Sequence, residues 1–268
     1  MADNRPIGIF DSGVGGLTVV REVLHQLPHE SVLYVGDTAR VPYGPRGQAT
    51  IARFALQLVD FLLRRDVKAL VVACNTVSAA AIEPIRAQAP VPVLDVIGPT
   101  VEAACRQTHS NRIGVIGTVA TVNSGVYPRT VAGLKPEAEV LLQACPLFVP
   151  IAEEGWAEHE VARLTAEEYL TPLKGSGIDT LVLGCTHYPL LKATLALVLG
   201  PEVALVDSAE PTVRRLGDML RETGLAAKQG VMIGHQFCVT DASEKFTQIA
   251  SRFLGGELDG CVSRVEIG

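Results

Sequence analysis

Leu70-Val71-Val72-Ala73-Cys74-Asn75-Thr76 is echoed 111 residues later, counting from Cys74 to Cys185, by Leu181-Val182-Leu183-Gly184-Cys185-Thr186-His187. Each copy is an apolar run of strand length that stops at a cysteine, continues with polar residues and leads into a segment of helical character. In a parallel α/β sheet this pattern puts the cysteine at the carboxyl end of a strand, where such folds bind their ligands. Two copies supply two half-sites able to face each other across one cleft. Thiols on opposite sides of a small molecule point to proton transfer at a stereocentre, because one base does not readily serve both faces of a carbon.

The echo extends outward from the two cysteines. Pro6-Ile7-Gly8-Ile9-Phe10 resembles Arg112-Ile113-Gly114-Val115-Ile116-Gly117, and Val93-Leu94-Asp95 resembles Leu205-Val206-Asp207. The offsets are 106, 111 and 112 residues (7 to 113, 74 to 185, 95 to 207), close enough to imply two similar halves. Between these marks the chain alternates strand and helix. Strands are expected at Pro6–Phe10, Ser31–Gly36, Ala69–Ala73 and up to Asp95. Helices are expected from about Leu17 to Leu27, through Ile51, Phe54, Ala55, Leu58 and Leu62, and over Thr76–Gln88. In the second half one helix is expected over Thr118–Leu134, a strand at Glu139–Gln143, a helix opened by a Thr165-x-x-Glu168 capping box, and a helix over Pro211–Thr223. The tail reads as a strand at Gly230–Thr240, a helix capped by Asp241-x-x-Glu244 and a strand near Leu258–Ile267, and is expected to return to the first half. The fold class is therefore α/β: two similar domains, each with a mostly parallel sheet flanked by helices, facing across a central cleft. The domains are expected at residues 1–97 plus 208–268, and at residues 98–207.

Composition removes several function classes. Hydrophobic residues make up 48% of the 268 and charged residues 19%, which suits a globular protein with a large core. A net charge of −6 with no Lys/Arg run argues against nucleic acid or an anionic membrane as partner. No apolar run approaches the roughly 18 residues of a membrane span, and Met-Ala-Asp-Asn-Arg-Pro has no signal-peptide core. The 6 cysteines then read as reduced thiols in the cytoplasm, and without a C-x-x-C pair no metal site is expected. Gly13-Val14-Gly15-Gly16 has the wrong spacing for a dinucleotide loop, and the Asp11 carboxylate before it would repel a pyrophosphate.

Read together, Ile9-Phe10-Asp11-Ser12-Gly13-Val14-Gly15-Gly16-Leu17, Pro42-Tyr43-Gly44, Ala73-Cys74-Asn75-Thr76, Gly117-Thr118-Val119-Ala120-Thr121-Val122 and Gly184-Cys185-Thr186-His187-Tyr188-Pro189-Leu190-Leu191 resemble the glutamate racemase family, in family order and over nearly the whole chain. The resemblance implies a cofactor-independent isomerase that interconverts L- and D-glutamate and supplies D-glutamate for peptidoglycan, and often a homodimer. It implies that Cys74 and Cys185 are the acid/base pair. Cys74 would take the proton from D-glutamate and Cys185 from L-glutamate. Asp11 would assist Cys74, and His187 with Glu153 would assist Cys185, with Glu154 an adjacent competitor. Substrate contacts are expected from Asp11, Ser12, Pro42, Tyr43, Gly44, Cys74, Asn75, Thr76, Thr118, Thr121, Cys185, Thr186 and His187. Family members activated by a cell-wall precursor carry an N-terminal extension, so that mode is not expected here.

The residues support this chemistry on their own terms. A thiol of pKa roughly 8.5 at a helix start, beside a carboxylate or imidazole, can hold or release a proton near neutrality. Short polar residues and helix-start N–H groups can hold an α-carboxylate while charge builds on the carbon. None of Lys68, Lys135, Lys174, Lys192, Lys228 and Lys245 ends a strand within a motif, so nothing signals pyridoxal phosphate. Cys105, Cys145, Cys238 and Cys261 read as inert thiols, Trp156 as packing, and Asp95 and Asp207 as turn or hinge residues. His25, His29, His109, His159 and His235 receive no role. Two other readings stand: a racemase for aspartate or another small acidic amino acid, and an added protein-binding role such as gyrase inhibition.

Overall fold

A computed structural model describes residues 3–228, 234–241, 244–256, 258 and 261–267. The chain opens as β1 (Ile7–Asp11), α1 (Leu17–Gln26), β2 (Val32–Gly36), α2 (Gln48–Leu63), β3 (Ala69–Val72), α3 (Asn75–Gln88) and β4 (Val93–Asp95). After α4 (Ile97–Gln107) it continues as β5 (Arg112–Gly117), α5 (Val119–Asn123), α6 (Val126–Leu134), β6 (Glu139–Ala144), α7 (Phe148–Glu153), α8 (Glu160–Leu170) and β7 (Thr180–Gly184). A 3-10 turn (Tyr188–Leu191), α9 (Lys192–Leu199) and β8 (Ala204–Asp207) follow. The tail holds α10 (Ala209–Glu222), β9 (Gln236–Val239), α11 (Glu244–Leu254) and β10 (Cys261–Arg264).

The strands form two parallel sheets, β10-β9-β2-β1-β3-β4 and β6-β5-β7-β8. The segment β2-β1-β3-β4 therefore has the same order as β6-β5-β7-β8. The registers agree as well. Phe10 pairs with Val72 as Ile116 pairs with Leu183, and Val72 pairs with Asp95 as Leu183 pairs with Asp207. Gly8 leaves room for the Leu70 side chain as Gly114 does for Leu181. The sequence echo is thus a structural repeat, and its small changes of offset are absorbed between strands.

Both sheets carry helices on both faces, which is why their central strands are continuously apolar. Ile7, Ile9 and Val71 point into one core with α1, α10 and α11, while Phe10, Leu70 and Val72 point into another with α2 and α3. In the second sheet Ile116, Leu181 and Leu183 pack on one side, and Ile113, Val115 and Val182 on the other. Pro84 lies inside α3, where it cannot donate to the Ala80 carbonyl; the Gln48 side chain donates to that oxygen instead, at 3.0 Å. Among the described residues no helix is long and apolar enough to cross a membrane.

Several local expectations need correction. Thr165 does not open a helix: α8 begins five residues earlier, capped by His159, whose Nδ1 accepts the Val161 N–H at 3.2 Å. The apolar stripe Ala162, Ala166 and Leu170 then runs through Thr165. The expected helix over Thr118–Leu134 is two helices, because the Ser124 hydroxyl caps α5 through the Thr121 carbonyl and receives the Val126 N–H. The polar residues after Cys185 enter a 3-10 turn containing Pro189 before α9 starts. Helices α4 and α7 had no counterpart in the sequence reading. Part of the expected Gly230–Thr240 strand, at 230–233, and the centre of the Asp241–Glu244 capping box, at 242–243, lie outside the described residues.

Asp95 and Asp207 close the repeat as turn residues. Asp95 Oδ1 accepts the Ile97 and Gly98 N–H groups, and Asp207 Oδ1 those of Ala209 and Glu210. Cys145 and Cys238 are buried, Cys105 is half-buried, and the side chain of Cys261 lies outside the described residues. Trp156 is 49% exposed and packs at the surface, stacking on His159 among the described aromatic pairs.

Candidate active site

The carboxyl ends of β1, β3, β5 and β7 converge on one cavity of about 470 Å³. It is lined by Ser12, Pro42, Tyr43, Gly44, Cys74, Asn75, Thr76, Thr118, Glu153, Cys185, Thr186 and His187 from the expected set. Asp11 and Thr121 are not on its surface; both are almost fully buried just behind it. Gly13, Val41, Pro45, Val119, Pro146, Val149 and Pro150 also line it, and sequence reasoning missed them. The only signal for the last three was an apolar, proline-bounded stretch before Glu153.

Cys74 caps α3 in extended conformation (φ −79, ψ 119), directly after β3, and is 5% exposed. Ser12 Oγ lies 3.4 Å from its sulfur. Burial, and then the Asp11 charge, push the Cys74 thiol up to about 12, against hydrogen bonds from Ser12 and the Val77 N–H. The first half-site therefore holds its proton as a neutral thiol. Asp11 ends β1; its Oδ2 accepts the Gly13 N–H at 2.8 Å, while Oδ1 has no hydrogen-bond partner among the described residues. Burial raises the Asp11 carboxyl; the His187 charge and the N–H groups of Gly13 and Gly16 pull it back.

Cys185 follows β7 and is 7% exposed. His187 Nδ1 lies 3.9 Å from its sulfur, and His187 Nε2 lies 3.0 Å from Glu153 Oε1. Burial alone would push this imidazole down, but the bonds to Cys185 and Glu153 outweigh it and raise His187 to about 10. The second half-site thus carries its proton on an imidazolium. In the repeat, Cys74-Asn75-Thr76 aligns with Cys185-Thr186-His187, and Asp11-Ser12 aligns with Gly117-Thr118. The flanking groups break the symmetry: a carboxylate from β1 lies beside one thiol, an imidazole two residues downstream beside the other.

Further contacts tie the halves together. Thr76, Thr118 and Thr121 form a hydroxyl cluster with separations of 2.9, 3.0 and 3.4 Å. Asn75 is held from both sides, accepting from Tyr127 Oη at 2.7 Å and donating to Ser208 Oγ at 3.3 Å. Tyr43 lines the cavity with its hydroxyl engaged, donating to Asp37. Ala120 N–H donates to the Gly44 carbonyl at 3.1 Å, and Thr18 Oγ1 donates to the Thr186 carbonyl at 3.3 Å. At Gly15 the other half leaves no room for a side chain: a Cβ there would meet Thr186 Oγ1 at 2.2 Å and His187 Nδ1 at 2.5 Å.

Such a cavity pairs a thiol beside a carboxylate with a thiol beside an imidazolium and surrounds the space between them with hydroxyls, a carboxamide and N–H groups. That is the equipment for removing a proton from one face of an acidic carbon and returning one to the other. Comparison with known proteins agrees with this chemistry. The family model for Asp/Glu/hydantoin racemases matches residues 7–216. A glutamate racemase of Syntrophus aciditrophicus is 51% identical over 263 residues, 98% of this chain and 97% of that protein. The crystal structure of glutamate racemase isoform RacE1 from Bacillus anthracis superposes with a TM-score of 0.94 at 39% identity, covering 99% of this chain and 98% of that one. The glutamate racemase from Francisella tularensis in complex with D-glutamate superposes with a TM-score of 0.93 at 39% identity and the same coverage.

Proposed function

The chain belongs to the Asp/Glu/hydantoin racemase family, and from that premise we propose how its cleft works. It is an isomerase that interconverts L- and D-glutamate, in keeping with glutamate racemases 50–51% identical over nearly its full length. Cys185 takes the α-proton from L-glutamate while Cys74 delivers its own proton to the opposite face; the reverse reaction exchanges these roles. The single observation that carries this assignment is that both thiols, from equivalent ends of β3 and β7, line one cavity.

Their surroundings give each thiol a different way of changing state. Cys74 starts protonated, and Asp11 accepts its proton or returns one. Cys185 works with His187, which Glu153 keeps cationic and oriented; Glu153 rather than Glu154 fills this role because its carboxylate meets the imidazole at 3.0 Å. The α-proton of an amino acid is a far weaker acid than a thiol, so the negative charge that builds toward the α-carboxylate must be stabilised in place. Ser12, Asn75, Thr76, Thr118 and Thr186, with the helix-start N–H groups of α3, supply that stabilisation. Thr121 acts by fixing Thr76 and Thr118, and Pro42, Tyr43 and Gly44 wall the cavity on the opposite rim.

We divide the chain into one domain of residues 1–97 plus 208–268 and another of 98–207, a split supported by the two separate sheets. A homodimer in the cytoplasm that supplies D-glutamate for peptidoglycan completes the reading. The test is proton NMR of L-glutamate with the purified protein in D2O. Loss of the Cα–H signal with appearance of D-glutamate is expected, and Cys74→Ala and Cys185→Ala each abolish racemisation while keeping the fold. Exchange with aspartate but not glutamate, or full activity in either variant, would overturn the assignment.

A further inference from the structure

Helix α11 lies in the tail, far from every motif that marks the site. Its stripe Phe246, Ile249, Ala250 and Phe253, spaced i, i+3, i+4, i+7, is buried against Val19, Val20 and Val23 of α1. That packing anchors the helix to the six-stranded sheet. Its last turn nevertheless reaches the other half of the molecule. The Phe253 ring, fully buried, meets the His187 imidazole edge-on, with centroids 5.1 Å apart and planes at 80°. Next to it, Arg252 Nη1 donates to the Glu153 carbonyl at 2.6 Å. Gly155 keeps this place open for the guanidinium: a Cβ there would lie 2.9 Å from Arg252 Cζ. Two adjacent residues of one helix thus touch both members of the pair that serves Cys185. They do so with the carbonyl end of the helix, the end that favours a nearby cation.

We propose that the tip of α11 is the positioning element of the second half-site, with Phe253 setting the plane of the His187 imidazole and Arg252 setting the height of Glu153, so that the pair stays in register with Cys185. This rests on the assignment of Cys185, His187 and Glu153 above. It adds two residues that neither touch the reacting atoms nor lie in any motif. Among the described residues Cys74 receives no such contact: its neighbours Asp11 and Ser12 come from the end of β1 in the same sheet.

The prediction is selective, and the two thiols of one molecule provide the control. The probe is iodoacetamide at neutral pH, with alkylation of Cys74 and Cys185 followed peptide by peptide by mass spectrometry, alongside racemase kinetics. Arg252 is exposed and can be changed without a core cavity, so Arg252→Ala is the first variant; Phe253→Leu, which keeps an apolar filler, is the second. A displacement approaching 1 Å of the pair should lower kcat about tenfold or more with KM nearly unchanged. Cys185 alkylation should slow by a similar factor while Cys74 alkylation stays at the wild-type rate, and Arg252→Lys should recover most of the loss. A Cys185 rate that does not fall, or that falls in step with Cys74, overturns the inference; a variant that only unfolds is recognised by both rates rising together, because both buried thiols become exposed, and the other variant then decides. If Cys185→Ala itself still racemises glutamate, the two-thiol assignment fails instead, whatever α11 does.

Discussion

Gly15→Ala is the sharpest test of how closely the two halves must meet. The added Cβ would sit 2.2 Å from Thr186 Oγ1, 2.5 Å from His187 Nδ1 and 2.6 Å from His187 Cε1. Ordinary van der Waals contact starts at 3.4 Å, so the gap must open by about 1 Å (3.4 − 2.2 = 1.2 for the hydroxyl, 3.4 − 2.5 = 0.9 for the ring). The Thr186 hydroxyl can rotate away. The imidazole cannot, because Glu153 holds Nε2 at 3.0 Å and the Phe253 ring packs against it. The strain therefore goes into separating β7's half-site from β1's. A misplacement near 1 Å costs about 10²-fold in rate, or roughly 2.7 kcal/mol of transition-state stabilisation. Overpacking should also lower stability by about 1–3 kcal/mol. The assay is initial-rate polarimetry from both enantiomers. Because enantiomers have equal free energy, kcat/KM must fall by one factor in both directions, which checks the measurement internally. A Gly15→Ala protein within threefold of wild type would refute the claim that the halves are in working contact in this arrangement.

Three further outcomes are expected. His187 is raised from 6.5 to about 10, so its charged pair with Glu153 stabilises the fold in full below pH 6.5 and ceases to as pH rises through about 10. Glu153→Gln removes the anion and should move the alkaline fall of activity to lower pH; an NMR titration in which the variant imidazole still ionises near 10 would contradict this. Lys68 and Glu30 form a buried pair at 2.5 Å, and Lys68 also donates to the Asp3 carbonyl at 2.6 Å. Lys68→Met should cost about 3–5 kcal/mol in urea denaturation by stranding the carboxylate, and Glu30→Gln added to it should recover part of that; strictly additive losses would argue against coupling. Asp179 would be raised by burial, but hydroxyls of Thr108 and Thr180 and the N–H groups of His109 and Ser110 hold it well below the usual carboxylate range. Its contribution is present above pH 3.8 and lost as pH falls, so Asp179→Ala should cost about 2–3 kcal/mol at neutral pH and much less near pH 2, a contrast that thermal melts at the two pH values measure directly.

The repeat was legible because strand ends are local. An apolar run, a terminal cysteine and a following polar pair are consecutive residues, and in a parallel sheet that string alone places a side chain at the ligand edge. The same locality made Ser12, Thr118, Asp95 and Asp207 readable, since each sits within two residues of its strand. The misreadings also have a local cause. Thr165-x-x-Glu168 has the composition of a capping box, but α8 is positioned by the burial of Ala162, Ala166 and Leu170, and a tertiary stripe overrides a local capping preference. Helix α7 was missed because its six residues, with Pro150 in the first turn, are too short for a 3.6-residue period to show.

The sequence by itself therefore determined the parallel α/β architecture, the two thiols, and the carboxylate and imidazole that flank them. Only the tertiary structure decided which acid meets His187, that Asn75 is held between Tyr127 and Ser208, that Gly15 must lack a side chain, and that Arg252 and Phe253 reach the site. The physical reason is one of range. Side-chain period and strand-end chemistry are written within a few residues, whereas contacts such as Arg252 to Glu153 join positions 99 apart and exist only once two separately packed sheets have closed on each other.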